Sequence, residues 1–483
     1  MRNHQNAIRG WNNMVNSAVP AESRIKTAII PPSPIEETPP PVKEILTYKK
    51  IVIVGAGVAG INAATKLVDN GYPGELITII DKGNDPHSRL PEEVMTGMLG
   101  AGGWSDGKLT YHTAIGGQLS KYCGKEKAME LMKQVVDNFT RFHPKPEEIF
   151  MSDPQEEPEF IKPYFGLRMF PVWHIGSNFL HEIAKAWYSY LGDSGVNFTW
   201  NATVSNIHFE DKNLLYYSEH PEILFNIEYD TLIFAVGKSG IDFAQALSDQ
   251  YKLPNEPKSV QIGVRFEAPQ KYFQKLIDVS YDFKLYQKFD NVSLRSFCTN
   301  NNAAYVAVEE TYGDVSYNGH AKKGKEFENK MTNFGILMEI KGIEDPFKWS
   351  RDLVNKLQTK PNNTGLYFSP KGTRNPSNTS EGTPINTAQI DEIGLKDVEK
   401  EFQGYFKYIT DFIFDMNKVF KFGNDWGMYI PEVKYLSPEP LVNYHNLSLT
   451  EYPNVHFVGD ALSARGITVS GAHGIYVAES LLK

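Results

Sequence analysis

Two glycine-rich segments stand at opposite ends of the folded part of this chain. The first covers residues 51–60 (IVIVGAGVAG), and the second covers residues 455–471 (VHFVGDALSARGITVSG). A single G-x-G-x-x-G indicates only a site for a pyrophosphate. Because each segment follows a predicted strand and opens a predicted helix, the pair predicts that the chain ends meet around one long cofactor. FAD fits that arrangement better than NAD.

The first segment lies in a predicted strand–helix–strand unit. Residues 51–54 and 76–80 read as buried strands, and residues 61–68 read as a helix between them. An acid at the end of the second strand, here Asp81, accepts hydrogen bonds from a ribose diol and disfavours NADP. A glycine-rich turn without a ligand is the alternative. The residues expected to bind the cofactor here are Gly55, Gly57, Val58, Ala59, Gly60, Asp81 and Lys82.

A second glycine-rich stretch follows at residues 97–109 (GMLGAGGWSDGKL). Glycine is costly in regular structure, so the stretch predicts a loop pressed against a flat ligand such as the flavin ring. It holds no cysteine, which argues against a dithiol mechanism. Ser105, Asp106 and Lys108 are candidate catalytic residues, the alternative being that they order the loop by bonding its backbone. The expected cofactor contacts are Gly102, Gly103, Trp104, Ser105, Gly107 and Lys108.

The closing segment predicts a strand at 455–458 and a helix at 469–482. The positive end of that helix would stabilise the negative charge of a reduced flavin by roughly 1–2 kcal/mol. A helix that only packs on a sheet is the alternative. Residues 229–237 read as another buried strand returning to the cofactor domain. The cofactor contacts expected from these regions are Val204, Ala235, Gly237, Gly459, Asp460, Arg465, Gly466, Ile467 and Thr468.

With these segments the chain resembles the bacterial and archaeal FAD-dependent dehydrogenases of the two-dinucleotide-binding (glutathione-reductase-like) flavoprotein superfamily. The resemblance implies FAD binding. It departs from the family at residues 240–242 (GID instead of ARD) and at residues 372–374, which leaves the substrate open. The residues that carry it are 54–60 (VGAGVAG), 100–109 (GAGGWSDGKL), 174–177 (HIGS), 234–239 (FAVGKS), 263–265 (GVR) with Glu267, 429–434 (YIPEVK) and 459–467.

The fold class expected is α/β: a Rossmann-like FAD-binding domain with a parallel sheet, interrupted by an α+β substrate domain with a mainly antiparallel sheet. The interrupting region contains alternating strand patterns and an amphipathic helix near residues 390–420. The expected divisions are a flexible proline-rich extension at 1–46, a discontinuous FAD-binding domain at 47–125, 200–242 and 441–483, and a substrate or cap domain at 126–199 and 243–440.

Substrate contacts are expected from the interrupting region. Trp426 and Tyr429 are the leading candidates, because they precede the helix predicted at 469–482 and could form an aromatic wall over the flavin ring. No further G-x-G-x-x-G follows a strand, so a dedicated NAD(P)H domain is not expected, and NAD(P)H is a candidate only as a transient electron donor. The other candidates are His174, Arg265, Arg295, Glu309, His320, Arg374 and His473.

Composition narrows the partners. Lys and Arg total 49 against 58 Asp and Glu, a net charge of −9 that argues against a nucleic-acid binder. No apolar run is long enough for a membrane span. The two cysteines form no disulfide framework and no zinc motif, so a cytoplasmic setting is expected. The tail at 1–46 leaves organellar targeting open, and the oligomeric state, including a homodimer, is also open.

The leading hypothesis is an FAD-dependent oxidoreductase, a dehydrogenase or reductase with non-covalent FAD. It would move a hydride between a small organic substrate and flavin N5. A flavin-dependent monooxygenase or halogenase is the first alternative, although residues 425–431 (DWGMYIP) match the halogenase motif only in part. A non-enzymatic FAD-binding or assembly protein is the second.

Overall fold

The computed structural model describes residues 48–90, 93–218, 223–256, 260–311, 314–322, 325–358, 364–372, 379–380, 383–384, 387–434 and 439–483. The predictions made for residues 1–46 and for Arg374 lie outside the described residues, as does the side chain of Glu309.

The strands of the described residues, numbered in chain order, are β1 (Ile51–Val54), β2 (Ile77–Ile80), β3 (Lys108–Thr110), β4 (Phe150–Ser152), β5 (Gly166–Met169), β6 (Val172–His174), β7 (Asn197–Thr199), β8 (Thr203–His208), β9 (Asn213–Tyr217), β10 (Leu224–Glu228), β11 (Thr231–Phe234), β12 (Asn255–Glu256), β13 (Val260–Pro269), β14 (Phe283–Lys288), β15 (Val292–Asn302), β16 (Ala304–Thr311), β17 (Asp314–Ala321), β18 (Met331–Ile340), β19 (Gly365–Phe368), β20 (Thr379–Ser380), β21 (Thr383–Pro384), β22 (Thr387–Ile390), β23 (Gly427–Lys434), β24 (Glu439–Pro440) and β25 (Val455–Phe457).

The α-helices of the same residues are α1 (Val58–Asp69), α2 (Leu119–Cys123), α3 (Lys125–Arg141), α4 (Leu180–Asp193), α5 (Ile241–Gln250), α6 (Gln274–Ile277), α7 (Pro346–Leu357), α8 (Glu392–Glu401), α9 (Phe406–Phe420) and α10 (Ile467–Leu481). In the described part of the chain, none of these helices has both the length and the apolar character needed to cross a bilayer.

Five short strands form a wholly parallel sheet in the order β25-β11-β1-β2-β7. All four residues of β1 and of β11 are buried, as expected for central strands covered by helices on both faces. The terminal strand β25 lies two places from the opening strand β1. The prediction that the two ends of the folded chain meet is therefore confirmed.

Helices α1 and α10 complete that meeting by packing directly on each other. The contact is so close that a methyl group added at Gly474 would lie 2.0 Å from the backbone oxygen of Ala59. Small residues along α10 allow this approach.

The second large sheet has eight strands in the order β22-β19-β23-β13-β18-β15-β14-β5, antiparallel except for the β19–β22 pair. Alternate residues of β13 and β18 point to an apolar core shared with α7 and α9. The intervening residues, Arg265 and Asn333 among them, form a polar face. The predicted fold class, a Rossmann-like parallel sheet interrupted by a mainly antiparallel one, is confirmed.

The amphipathic helix expected near residues 390–420 is wrong as a single element. The structure has two helices, α8 and α9, with a break between them. Gln403 and Gly404 there have φ values of +53° and +82°, which a helix does not tolerate. The hydrophobic repeat continues across the break because both helices cover the same sheet.

Candidate functional site

A cavity of about 750 Å³ opens at the carboxyl ends of the parallel strands and extends to the polar face of the eight-stranded sheet. Open parallel sheets bind their ligands at this edge. Of the residues predicted as cofactor contacts or catalytic groups, the cavity is lined by Gly55, Gly57, Val58, Ala59, Asp81, Lys82, Gly102, Trp104, Ser105, Asp106, Lys108, Val204, Ala235, Gly237, Gly459, Asp460, Arg465, Gly466 and Ile467.

Of the three glycines of the first corner, Gly55 and Gly57 line the cavity, and only Gly57 leaves room for a methyl group. Gly55 has φ +108°, and a methyl group there would lie 2.3 Å from the Ala235 oxygen. At Gly60, which does not line the cavity, it would lie 2.2 Å from the Gly55 oxygen. At Gly57 the nearest atom to an added methyl group would be 3.9 Å away. Gly57 precedes α1, whose N-terminus has no side-chain cap, so the first N–H groups can meet an anion.

Asp81 is used mainly inside the protein. Its Oδ2 accepts a hydrogen bond from the Ala56 N–H at 2.8 Å, and its Oδ1 accepts from the N–H groups of Gly83 and Gly97 at 2.8 Å each. A carboxylate offers about four acceptor positions, so little capacity is left for a ribose. The side chain nevertheless lines the cavity, and it ties three turns of the chain around the first corner.

The closing corner ends on another uncapped helix. Gly466 precedes α10 with φ +91°, and no side chain caps that N-terminus. Arg465 Nε lies 3.6 Å from Asp460 Oδ1, and both residues line the cavity. Thr468 does not line it, because its hydroxyl donates to the Thr110 oxygen at 2.6 Å. Two helix N-termini thus open into one cavity.

Arg89 braces the glycine loop, a role that sequence reasoning missed. The guanidinium is buried and donates to the oxygens of Met98 at 2.7 Å and Gly100 at 2.9 Å. Burial lowers its pKa to about 10, against the opposing effect of nearby carboxylates. Gly103 does not line the cavity, and a methyl group there would lie 3.0 Å from the Arg89 Nη1. The arginine and this glycine together shape the loop.

Ser105 bonds within its own loop. Its hydroxyl donates to the Gly102 oxygen at 3.1 Å and accepts from the Gly107 N–H at 3.2 Å. Gly107 lies outside the lining, where a methyl group would come within 2.8 Å of the Gly176 backbone. The loop-ordering interpretation of Ser105 therefore has direct geometric support, and its catalytic role stays a prediction.

A buried ionic cluster lies at the other end of the cavity. Lys108 Nζ lies 2.9 Å from Asp106 Oδ2 and 3.8 Å from Asp282 Oδ1. It also donates to the Thr299 oxygen. Lys284 Nζ lies 3.0 Å from the other oxygen of Asp282. The four charged side chains line the cavity, and two carboxylates balance two ammonium groups.

Three members of the ionic cluster, Asp106, Asp282 and Lys108, have pKa values shifted toward their charged forms. Burial by itself raises the pKa of Asp106, but the Lys108 ammonium outweighs it and the net pKa is lowered. The same opposition lowers the pKa of Asp282, with Lys108 and Lys284 as the cations. Burial lowers and the two carboxylates raise the pKa of Lys108, with a net rise. Lys108 is therefore a fixed positive charge at neutral pH.

A β-bulge brings Cys298 into this cluster. The register between β15 and β18 shifts between Phe297 and Asn300, and Cys298 has φ +53°. Its Sγ donates to Asp106 Oδ2 at 3.1 Å, across 192 residues of sequence. Burial and the Asp106 carboxylate raise the pKa of the thiol. Bulges often re-aim a side chain beside a functional site.

Polar side chains of the eight-stranded sheet form the rest of this wall. Gln261 on β13 is paired with Lys434 on one side and with Glu339 on the other. Arg295, on the strand beyond, donates to Gln261 Oε1 at 3.0 Å. All four residues line the cavity. Among the predicted substrate candidates, Arg295 is thus at the cavity.

Trp426 and Tyr429 are not at the cavity, so the aromatic wall expected from them needs correction. Trp426 stacks on Phe266 with ring centroids 5.6 Å apart, on the apolar side of the sheet. Tyr429 is fully buried and donates to Glu267 Oε1 at 3.2 Å. The position of a strand is visible in sequence, but the layer its side chains enter is set by sheet packing.

The histidine candidates are also outside the lining. His174 lies 3.3 Å from the Tyr281 hydroxyl, His320 stacks on Tyr305, and His473 is buried within α10. Sequence reasoning missed Asp282, Lys284 and Cys298. No local motif marks these three, and the alternation of polar and apolar residues in β14 is the one weak signal.

No protein-family model matches the sequence, and no curated protein is significantly similar to it. Several solved structures resemble the chain at low similarity, each aligned over 90% of it. A variant of the halogenase PltM in complex with FAD has 11% identity, 70% of its own chain covered and a TM-score of 0.40. A flavoprotein/dehydrogenase from Cytophaga hutchinsonii has 10% identity, 78% of its own chain covered and a TM-score of 0.39. The 2,6-dihydroxypyridine-3-hydroxylase from Arthrobacter nicotinovorans has 12% identity, 83% of its own chain covered and a TM-score of 0.41.

Proposed function

We propose that the cavity binds FAD non-covalently and that the protein is an FAD-dependent oxidoreductase. In this proposal a hydride passes between a small organic substrate and flavin N5. The observation that carries it is the convergence of two uncapped helix N-termini, those of α1 and α10, on one cavity. One such corner suits a pyrophosphate, whereas two that open into one cavity suit a longer molecule with two sites of negative charge.

The chemistry of the lining supports this assignment end by end. The open backbone at Gly57 would receive the pyrophosphate, and Lys82, Val204 and Ala235 would surround the adenosine. Gly102, Trp104 and the start of α10 would lie along the flavin ring. A cavity of about 750 Å³ falls within the range of roughly 300–1,000 Å³ that ligand sites occupy. Residues 47–125, 200–242 and 441–483 would then form the FAD-binding domain.

Bound FAD supplies the hydride acceptor or donor, and the chain supplies orientation and charge. The N-terminus of α10 places partial positive charge at one edge of the cavity. The Asp106–Lys108 pair holds a charged, hydrogen-bonded surface at the substrate end, together with Asp282. Lys108 stays protonated at neutral pH, so its role is electrostatic and positional. Residues 126–199 and 243–440 would form the substrate side.

The first experiment is the absorption spectrum of the purified chain, before and after adding FAD. A yellow protein, or saturable FAD binding to the colourless one, is the expected result. Anaerobic mixing with NADH or NADPH, then exposure to air, separates the functional classes. Rapid bleaching with slow reoxidation supports a dehydrogenase or reductase, and a long-lived oxygen adduct supports a monooxygenase or halogenase. A chain that refuses FAD refutes the proposal.

A further inference from the structure

Arg265 is a charged residue outside the cavity with none of its surface exposed. Its Nε and Nη2 donate to Asn333 Oδ1 at 3.0 and 2.5 Å, and its Nη2 also donates to the Cys298 oxygen at 2.7 Å. Its Nη1 lies 3.7 Å from Glu432 Oε2. The guanidinium therefore ties its own strand β13 to β18, β15 and β23.

Two glycines leave room for this arrangement. A methyl group added at Gly319 would lie 1.6 Å from Arg265 Nη2. At Gly335 it would lie 2.6 Å from Glu432 Oε2. Any side chain at either position would collide with the ion pair, so the backbone is shaped to accept a charge that burial alone disfavours.

Arg265 donates a hydrogen bond to the strained residue of the bulge, Cys298. A non-glycine residue with φ near +53°, as at Cys298, is energetically costly because its Cβ comes too close to the following carbonyl oxygen. Donors to its carbonyl, from Arg265 and from Asn300 Nδ2 at 3.0 Å, offset that cost. Without the bulge, Cys298 and Thr299 would follow the regular alternation of the strand.

The bulge sets three contacts of the ionic cluster. The Cys298 thiol donates to Asp106, the Thr299 oxygen accepts from Lys108, and the Thr299 N–H donates to Asp282 at 3.0 Å. All three depend on backbone that turns at Cys298. The groups at the substrate end of the cavity are thus linked to a guanidinium that does not line it.

We propose that Arg265 is a positioning residue that holds the bulge at Cys298 and thereby fixes the Cys298, Asp106 and Lys108 groups at the substrate end of the cavity. Its consequence for catalysis rests on the proposed function, whereas its effect on geometry does not need FAD. A purely structural role for the Arg265–Glu432 pair is the competing interpretation, because buried ion pairs also serve folding.

The test uses the full-length chain carrying Cys123→Ser, which makes Cys298 the sole thiol. The rate at which 4,4′-dithiodipyridine modifies Cys298 at pH 8 is compared in the parent, in Arg265→Lys and in Glu432→Gln. Lysine keeps the charge but cannot reach both acceptors. The thiolate is the reactive form and the Asp106 carboxylate raises the pKa of the thiol, so Cys298 freed from Asp106 should react about tenfold faster in Arg265→Lys than in the parent. Glu432→Gln leaves the hydrogen bonds of Arg265 in place and should stay near the parent rate.

Circular dichroism and urea unfolding report whether each variant is folded. If Arg265→Lys does not fold, Asn300→Ala removes the other donor to the Cys298 oxygen and should give a smaller acceleration. Unchanged rates in the folded variants, or equal acceleration in Glu432→Gln, overturn the inference. FAD affinity is measured in parallel and should match the parent. Loss of thiol protection with FAD binding retained separates this inference from the proposed function.

Discussion

Lys108 Nζ and Asp106 Oδ2 lie 2.9 Å apart at the wall of the cavity, and both side chains are almost completely buried. The two residues are neighbours in the glycine loop, yet the groups that complete their environment come from a distant sheet. Asp282 and Thr299 add a carboxylate and a carbonyl to the same ammonium. These contacts hold the Lys108 ammonium at one end of the cavity, and substitutions of its partners can test them.

Removal of the Asp106 charge should destabilise the fold. Asp106→Asn leaves Lys108 with one carboxylate instead of two, and breaking a buried pair typically costs about 3–5 kcal/mol. Urea unfolding at pH 7 measures the change. Asp137→Asn is the matched control, because its ion pair with Lys133 is exposed on α3, and it should change the free energy of unfolding by less than about 1 kcal/mol. Equal effects of the two substitutions would contradict a buried cluster.

The same ionic cluster predicts acid sensitivity. The pKa values of Asp106 and Asp282 are lower in the folded chain than their ordinary values, so the unfolded chain binds more protons in acid. Their contribution is complete above the ordinary carboxyl range and is lost as the pH falls through the folded-state values, between about pH 5 and pH 1. Unfolding free energies measured over that range should fall less steeply in Asp282→Asn than in the parent. If the unfolding free energy falls with pH as steeply in Asp282→Asn as in the parent, Asp282 does not contribute to the acid sensitivity.

Gly57 should be required for the ligand and not for the fold. Its φ is −67°, and a methyl group there meets only the Ala235 oxygen at 3.9 Å, so Gly57→Ala folds normally. The methyl group would, however, occupy the path by which a phosphate approaches the backbone. FAD titration should show at least a tenfold loss of affinity, about 1.4 kcal/mol. Gly192→Ala, on α4 with open space around it, should bind FAD like the parent.

Gly55 should be required for the fold itself. In Gly55→Ala the methyl group lies 2.3 Å from the Ala235 oxygen, in a backbone with φ +108°. Gly71→Ala is the control with a positive φ of +81° and no neighbour within 4 Å. The control should lose roughly 1 kcal/mol from backbone strain alone, and Gly55→Ala should lose considerably more. Thermal and urea unfolding of the FAD-free proteins compare them, and similar losses would refute the close approach of β1 and β11.

Asp81 separates a structural role from a ligand role. Asp81→Asn replaces an acceptor of backbone N–H groups with an amide that presents a donor to one of them. The FAD-free protein should therefore lose about 1–3 kcal/mol, the usual cost of an unsatisfied buried group. Lys82→Met, at the neighbouring cavity residue, should leave that stability nearly unchanged. A full loss of FAD affinity without any change in FAD-free stability would point back to a ribose contact alone.

Much of the parallel sheet can be predicted from the sequence, because the residue patterns that mark its strands and turns are local. The β-branched run of β1, the glycines before α1 and the strand ending at Asp81 lie within about thirty residues, as such units do. The closing strand and helix follow the same pattern. The similarity of the two corners predicts that they meet, and the pairing of β11 with both β1 and β25 confirms this.

The arrangement of the ionic cluster is determined by tertiary structure. Cys298 meets Asp106 across 192 residues, and only the register of the eight-stranded sheet, with its bulge, brings them together. Trp426 and Tyr429 show the converse, since they precede the closing helix in sequence and yet do not line the cavity. Local backbone preferences and hydrophobic periodicity act over a few residues and therefore appear in the sequence. Contacts between distant strands depend on how whole sheets pack, and no short pattern records that.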